Sequence, residues 1–217
     1  MDLLQCGMQR TVASRSTDMV WLRIWQIKLS GDRYTAITNR ATRWATVADV
    51  EKLEPFGVPE QLQIARLERG ERGHIMLQDG SIIAYVWFRT DPVELGRDLR
   101  LRIGARDIWL ADAAVLPQYR RQGIYGDLLV PAFTELAAEG FSRVLLAIDR
   151  FNRMSNRAHS AYGAQILGSI AGVRVGERVL LHEGVTAESK GQTGSARWRL
   201  SPARPAELRL ATPMKRP

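Results

Sequence analysis

The strongest constraint on the fold is one stretch in the middle of the chain. There a short apolar run, a proline, a basic turn with glycine and a long amphipathic pattern follow one another. Ile108 to Val115 is apolar, with Pro117 just beyond, and reads as a buried strand. From Gln122 to Glu139 the apolar residues Leu128, Leu129, Ala132, Phe133, Leu136 and Ala137 recur at spacings of three and four, which predicts a helix closed by Gly140. Pro131 should bend that helix or begin a second segment. Val144 to Ile148 is a further buried strand. A right-handed crossover would lay the two strands of this 108–148 unit parallel and side by side.

The turn inside this unit carries the chemistry. It runs Val115-Leu116-Pro117-Gln118-Tyr119-Arg120-Arg121-Gln122-Gly123-Ile124-Tyr125-Gly126. The first backbone N–H groups of a helix have no internal partner, and with the helix dipole they make an anion site. Gly123 lets a phosphate approach the backbone, and Arg120 and Arg121 add positive charge. The local expectation is a diphosphate cradle built from Val115, Arg120, Arg121, Gln122, Gly123, Ile124, Tyr125 and Gly126. Neither G-x-x-x-x-G-K-[ST] nor G-x-G-x-x-G occurs, so this is neither a Walker loop nor a dinucleotide fingerprint.

The remaining elements give the architecture. Met19 to Leu29 reads as a strand followed by a Ser30-Gly31 turn. Thr46 is an N-cap with Asp49 three residues on, opening a short helix that ends near Pro55. Pro59 opens a second helix with an apolar face of Leu62, Ala65 and Leu67. His74–Leu77 and Ile82–Phe88 form a hairpin through Asp79-Gly80. Residues 90–106 read as a polar loop or irregular edge. A helix from about Arg153 to Tyr162 ends at Gly163, and Ile166–Ile170 with Arg178–Leu181 make a closing antiparallel pair. The fold class is therefore α+β, or mixed α/β: a central, mainly antiparallel sheet flanked by helices, with one parallel strand–helix–strand unit. Residues 1–16 read as a loose extension and 17–183 as the domain. Residues 184–217, rich in Gly, Ser, Thr, Pro and Arg, read as a disordered basic tail.

Composition excludes other classes. A single cysteine, Cys6, allows no internal disulfide, and His74, His159 and His182 lie too far apart for a metal cluster. No apolar run approaches the length of a membrane helix, and the N-terminus lacks the pattern of a secretory signal, so the reading is a cytoplasmic protein. The net charge of +8 is spread along the chain with acidic residues interleaved, which disfavours a nucleic-acid partner.

The turn resembles the central motif of GNAT acetyltransferases, [QR]-x-x-G-x-[GA] preceded by V-x-P-x-x: Val115, Pro117, Arg120 and Gly123 fall in place, while Tyr125 stands where Gly or Ala is usual. A second stretch, Asn152 to Ala164, resembles the family's N-x-x-S-x-x-x-Y-x-x-x-G-F, with Asn152 and Ser155 matching and His159 at the usual tyrosine position. The likeness covers about residues 46–182 and is strongest over 107–170. It implies acetyl-CoA as cofactor, with Asn152 and Ser155 joining the cradle, and transfer of acetyl to a primary amine by direct attack in a ternary complex. The amine acceptor, small molecule or peptide, stays open, as does a homodimer. His159 or Tyr162 is implied as the acid that protonates the leaving thiolate. Asp112, set among Trp109, Leu110, Ala111 and Ala113, is the candidate base, since burial would raise its pKa. Trp87 and Phe88 are candidate pocket aromatics, only one of which strand alternation should turn inward. The competing reading is a non-catalytic acyl-CoA-binding sensor or scaffold on the same fold.

Overall fold

The computed structural model describes residues 19–29, 40–90, 93–94, 99–175, 178–185, 197–201 and 206–209. In chain order the strands are β1 (Met19–Lys28), β2 (Ala41–Trp44), β3 (Arg72–Gln78), β4 (Ser81–Arg89), β5 (Val93–Glu94), β6 (Leu99–Arg102), β7 (Asp107–Val115), β8 (Arg143–Asp149), β9 (Gln165–Val175), β10 (Arg178–Val185), β11 (Arg197–Ser201) and β12 (Ala206–Arg209). The helices are α1 (Glu60–Glu68), α2 (Ile124–Ala138) and α3 (Arg153–Ala161), with short 3-10 helices at Val47–Asp49, Glu51–Phe56 and Pro117–Tyr119. This is a mixed α+β chain with a mostly antiparallel sheet and flanking helices, and the expected order of strand, helix, strand is β7, α2, β8. Residues 1–16 and the Ser30-Gly31 turn lie outside the described residues. Two strands, β11 and β12, fall within the stretch read as a tail, and β5 and β6 within the 90–106 stretch. Among the described residues no helix is long and apolar enough to cross a membrane.

The chain divides into two compact units. In the first, Leu29–Thr90 with Ile108–Val144, the strands lie in the order β7-β4-β3-β2, every pair antiparallel. In the second, which holds β1, β5, β6, most of β8, α3 and β9 to β12, strands β11-β10-β9-β1-β8 follow one another and a small sheet runs β12-β6-β5. There β12 and β6 pair in parallel, whereas the β1–β9, β9–β10, β10–β11 and β5–β6 pairs are antiparallel.

Strand β4 organises the first unit. No residue from Ile82 to Phe88 is more than 2% exposed, so the strand is covered on both faces. Its hairpin with β3 closes through Asp79 at φ 51° and Gly80 at φ 77°, the double left-handed turn whose twist matches that of the strands. On one face Tyr85 and Trp87 pack with Leu53, Phe56, Ile75 and Leu116. On the other, Phe88 meets Phe133 of α2 edge-on at 6.3 Å and Trp44 at 6.1 Å. Trp87 and Phe88 are thus both inside, contrary to the alternation argument, because each face of β4 has its own layer. Gly73 lies opposite Trp87, and a Cβ there would stand 3.0 Å from the indole, so only glycine leaves the ring its place.

Helix α2 buries Ile124, Gly126, Leu128, Leu129, Ala132, Phe133 and Leu136 and runs unbroken through Pro131, which does not begin a second segment. The proline removes one N–H, the partner of the Asp127 carbonyl, and six apolar residues on the buried face hold the helix across that gap. The expected N-cap at Thr46 is a capping box: Asp49 Oδ2 accepts from the Thr46 N–H and hydroxyl at 2.9 Å each. Arg43 donates to both Asp49 oxygens at 2.6 and 2.7 Å and holds that carboxyl well below the usual carboxylate range.

His74, on β3, is fully buried; its ring stacks edge-on against Trp44 at 4.8 Å, and Nε2 lies 3.9 Å from the Glu135 carboxylate. Burial pushes its pKa down from 6.5 to about 4. The folded protein therefore keeps His74 neutral while the unfolded chain protonates it near 6.5, so stability falls as pH drops between those two values. The full effect is about 3 kcal/mol. Urea unfolding at pH 7 and pH 4.5 should show His74→Phe losing less stability than the parent over that interval, by about 2 kcal/mol. Equal losses in the two proteins would refute a buried neutral imidazole.

Candidate functional site

The loop after β7 is built by its own backbone. The N–H of buried Leu116 donates to the carbonyl of Ile83 at 3.0 Å, tying the end of β7 to β4. Pro117–Tyr119 then make one 3-10 turn. Arg120 folds back so that its Nε donates to the Val115 carbonyl at 3.0 Å, and Gln122 Nε2 donates to the Gln118 carbonyl at 3.0 Å. These two side chains brace the loop. Arg121 is exposed and left-handed at φ 64°, and Gly123, the N-cap of α2, is left-handed at φ 75°.

The start of α2 suits an anion. Gly123 offers no side-chain cap, and a Cβ on it would meet nothing within 4 Å, so the space in front of the helix N-terminus is open. The N–H groups of Gly126 and Asp127 turn inward to the Gly123 carbonyl at 2.9 and 3.1 Å, which begins the helix. Ile124 and Gly126 are buried and anchor that first turn, Tyr125 is half-buried, and the Asp127 carboxylate pairs with Arg40. An exposed arginine, a left-handed glycine and the positive end of a 15-residue helix together fit a diphosphate.

Asp112 projects from β7 three residues before Val115 and is 7% exposed. Its Oδ2 accepts from Arg66 Nη2 of α1 at 2.9 Å and from the Tyr85 hydroxyl of β4 at 3.2 Å. Burial pushes its pKa up, opposed by Arg66, Tyr85 and the backbone N–H of Ala113. Sequence reasoning missed Arg66, Glu71 and Tyr85. It gave α1 an apolar face of Leu62, Ala65 and Leu67, whereas the buried positions are Gln63 and Arg66, one turn apart. A polar pair at that spacing looks like a solvated face until the partner on a strand 46 residues away is in place.

The second motif lies in the second unit. Asn152 is the N-cap of α3, its Oδ1 accepting from the Ser155 N–H at 3.0 Å, so the spacing N-x-x-S is that of a capping side chain and its third helical residue. Asn156, buried, donates to the carbonyls of Asp149 and Asn152 at 3.0 and 2.6 Å and fixes the helix start to the end of β8. His159 is 5% exposed; its Nδ1 lies 2.8 Å from the Ser155 carbonyl, which makes Nδ1–H the donor, and burial lowers its pKa. Tyr162 follows the last turn as its C-cap and is half-buried. Among the described residues no group of His, Cys, Asp and Glu could hold a metal ion.

A strand, a braced basic loop and a helix opening on a left-handed glycine together make a strand–loop–helix unit. The chain belongs to the acetyltransferase (GNAT) family, whose model matches residues 38–164. Among solved structures it shares its fold with a GNAT-family protein from Novosphingobium aromaticivorans, at 15% identity and TM-score 0.52, over 77% of this chain and 66% of that one. A GNAT-family acetyltransferase from Colwellia psychrerythraea aligns at 16% identity and TM-score 0.50, over 79% of this chain and 58% of that one. A conserved protein of unknown function from Staphylococcus epidermidis aligns at 8% identity and TM-score 0.54, over 85% and 69%. No curated protein sequence matches it.

Gly123 and Gly140 are both left-handed, at φ 75° and 96°, and both have open space where a Cβ would go. Alanine at either should lower stability by about 1 kcal/mol through backbone strain alone. Isothermal titration with CoA should then separate them, with affinity falling at least about tenfold in Gly123→Ala, where the Cβ intrudes on the anion, and unchanged in Gly140→Ala. Equal affinities would remove the diphosphate from this loop.

Proposed function

We propose that the protein is an acetyl-CoA-dependent N-acetyltransferase that acetylates a primary amine by direct attack in a ternary complex. The observation that carries this reading is the open, left-handed Gly123 at the start of α2, beside exposed Arg121, in a chain of the GNAT family. Acetyl-CoA would supply the acyl group as an activated thioester, its diphosphate held by the amides of residues 121–125, since the Gly126 N–H is taken by the Gly123 carbonyl.

The chain's own residues then manage protons. An amine must lose one before it can act as a nucleophile, and the Asp112 carboxyl, buried and with raised proton affinity, suits that task. For the departing sulfur the choice lies between His159 and Tyr162. His159 is kept neutral by burial, and its one N–H is engaged by the Ser155 carbonyl, so it is poorly placed to give a proton near neutrality. We assign the acid role to the Tyr162 hydroxyl and give His159 the task of fixing the end of α3. The alternative, a non-catalytic acyl-CoA sensor, is favoured by the ion pair that occupies Asp112.

Acetyl transfer to a panel of primary amines tests the assignment. Tyr162→Phe should lower kcat by about 10²-fold with CoA affinity unchanged. His159→Gln should reduce kcat far less and lower thermal stability instead. Undiminished turnover in Tyr162→Phe would remove it as the acid, and CoA binding without turnover on any amine would favour the sensor.

A further inference from the structure

Burying an ion pair is seldom stabilising over apolar packing, because desolvation of both charges offsets their attraction. The Arg66 cluster is therefore a feature to explain rather than a device for stability. The Arg66 side chain is 5% exposed and reaches three elements at once. Nη2 donates to Asp112 Oδ2 at 2.9 Å, Nη1 to Gln63 Oε1 at 3.4 Å, and Nε lies 3.9 Å from Glu71 Oε2. Its guanidinium stands 5.4 Å from the centre of the Trp87 ring, and Trp87 is the β4 residue directly opposite Asp112.

The geometry of sharing matters. An arginine at full strength grips one carboxylate with two parallel N–H bonds. Arg66 gives Asp112 a single N–H and turns its other donors toward Gln63 and Glu71. Glu71 is shared in turn: Oε1 accepts from Arg69 Nε and Nη2 at 3.2 and 3.0 Å, and Arg89 Nη1 lies 4.0 Å from it. The charged and titratable groups facing Asp112 or its arginine are thus Arg66 from α1, Glu71 and Arg69 from the turn before β3, and Tyr85 and Arg89 from β4. A cation divided between two carboxylates orients Asp112 without holding it permanently ionised. Burial meanwhile favours the protonated form, and a base needs access to both states.

We propose that Arg66 is a positioning residue for proton transfer: clamped between Glu71 and Asp112, it fixes the Asp112 carboxyl, and Glu71 limits how tightly it does so. The inference rests on Asp112 acting as the base, and two separate readouts tell the two claims apart. The first is the Asp112 carboxyl carbon resonance in aspartate-labelled protein, assigned by its loss in Asp112→Asn and followed against pH. The second is the acid limb of kcat/KM for acetyl transfer to a primary amine. Glu71→Gln keeps the shape, frees Arg66 for Asp112, and should move both midpoints down by about one pH unit. Arg66→Lys keeps the charge but loses the fork, and should lower kcat about tenfold with KM unchanged. Arg66→Gln should raise the Asp112 midpoint, and if that variant fails to fold the other two still decide. A resonance midpoint that stays put in Glu71→Gln overturns the clamp and leaves the base reading standing. A resonance midpoint that moves while the rate profile does not removes Asp112 as the base and Arg66 as a residue acting through it.

Discussion

The first unit depends on a strand that no solvent reaches. Residues Ile82 to Phe88 of β4 must have a covering layer on each side, and the chain supplies two different ones. Helix α2 covers one face with Phe133 and its neighbours, and the 53–56 turn with α1 covers the other. Burying each aromatic of β4 is worth roughly 2–3 kcal/mol, so neither layer can detach cheaply. Everything functional in this unit hangs from that arrangement. β7 is registered on β4 by ladder bonds, and Leu116 is tied to Ile83, so the basic loop leaves the sheet at a fixed point. Helix α2 is held by a buried face that runs from Ile124 to Leu136, and that packing sets where Gly123 stands.

Polar groups drawn into the same layer acquire chemistry from their confinement. Asp112 faces the α1 side, where burial raises the proton affinity of its carboxyl and Arg66 and Tyr85 orient it. His74 sits on the neighbouring strand β3, where burial makes it a neutral packing group rather than a titrating one near neutral pH. The two cases show one physical rule with opposite outcomes. Desolvation disfavours the charged form, which makes a carboxylate a better base and leaves a histidine without its proton near neutral pH. The same rule lowers the proton affinity of His159.

Local signals carried much of this into the linear chain. The Asp79-Gly80 turn, the Thr46–Asp49 capping box, the glycine that ends α2 and the strand–loop–helix–strand order depend on residues close in sequence, and each is present. Where local logic misjudged the chain, the partner lay far away. Pro131 was expected to bend α2 or begin a second segment; no second segment begins, and packing on β4 keeps the helix whole. Trp87 and Phe88 were expected to split between inside and outside, yet two layers cover both. Asn152 and Ser155, implied by resemblance as part of the cofactor cradle, have as their visible role the capping of α3.

The sequence by itself determined most of the elements between residues 46 and 182, their order and the strand–loop–helix turn at Gly123, because helix starts, turns and left-handed glycines are set by a few adjacent residues. Only the tertiary structure decided what the buried polar residues are for. Arg66 and Gln63 look solvent-facing in their helix, and Asp112 looks like an isolated acid in its strand; their meaning is a 2.9 Å contact between α1 and β7. An ionisable group takes its proton affinity from what surrounds it in space, and those surroundings exist only once separate elements are packed together.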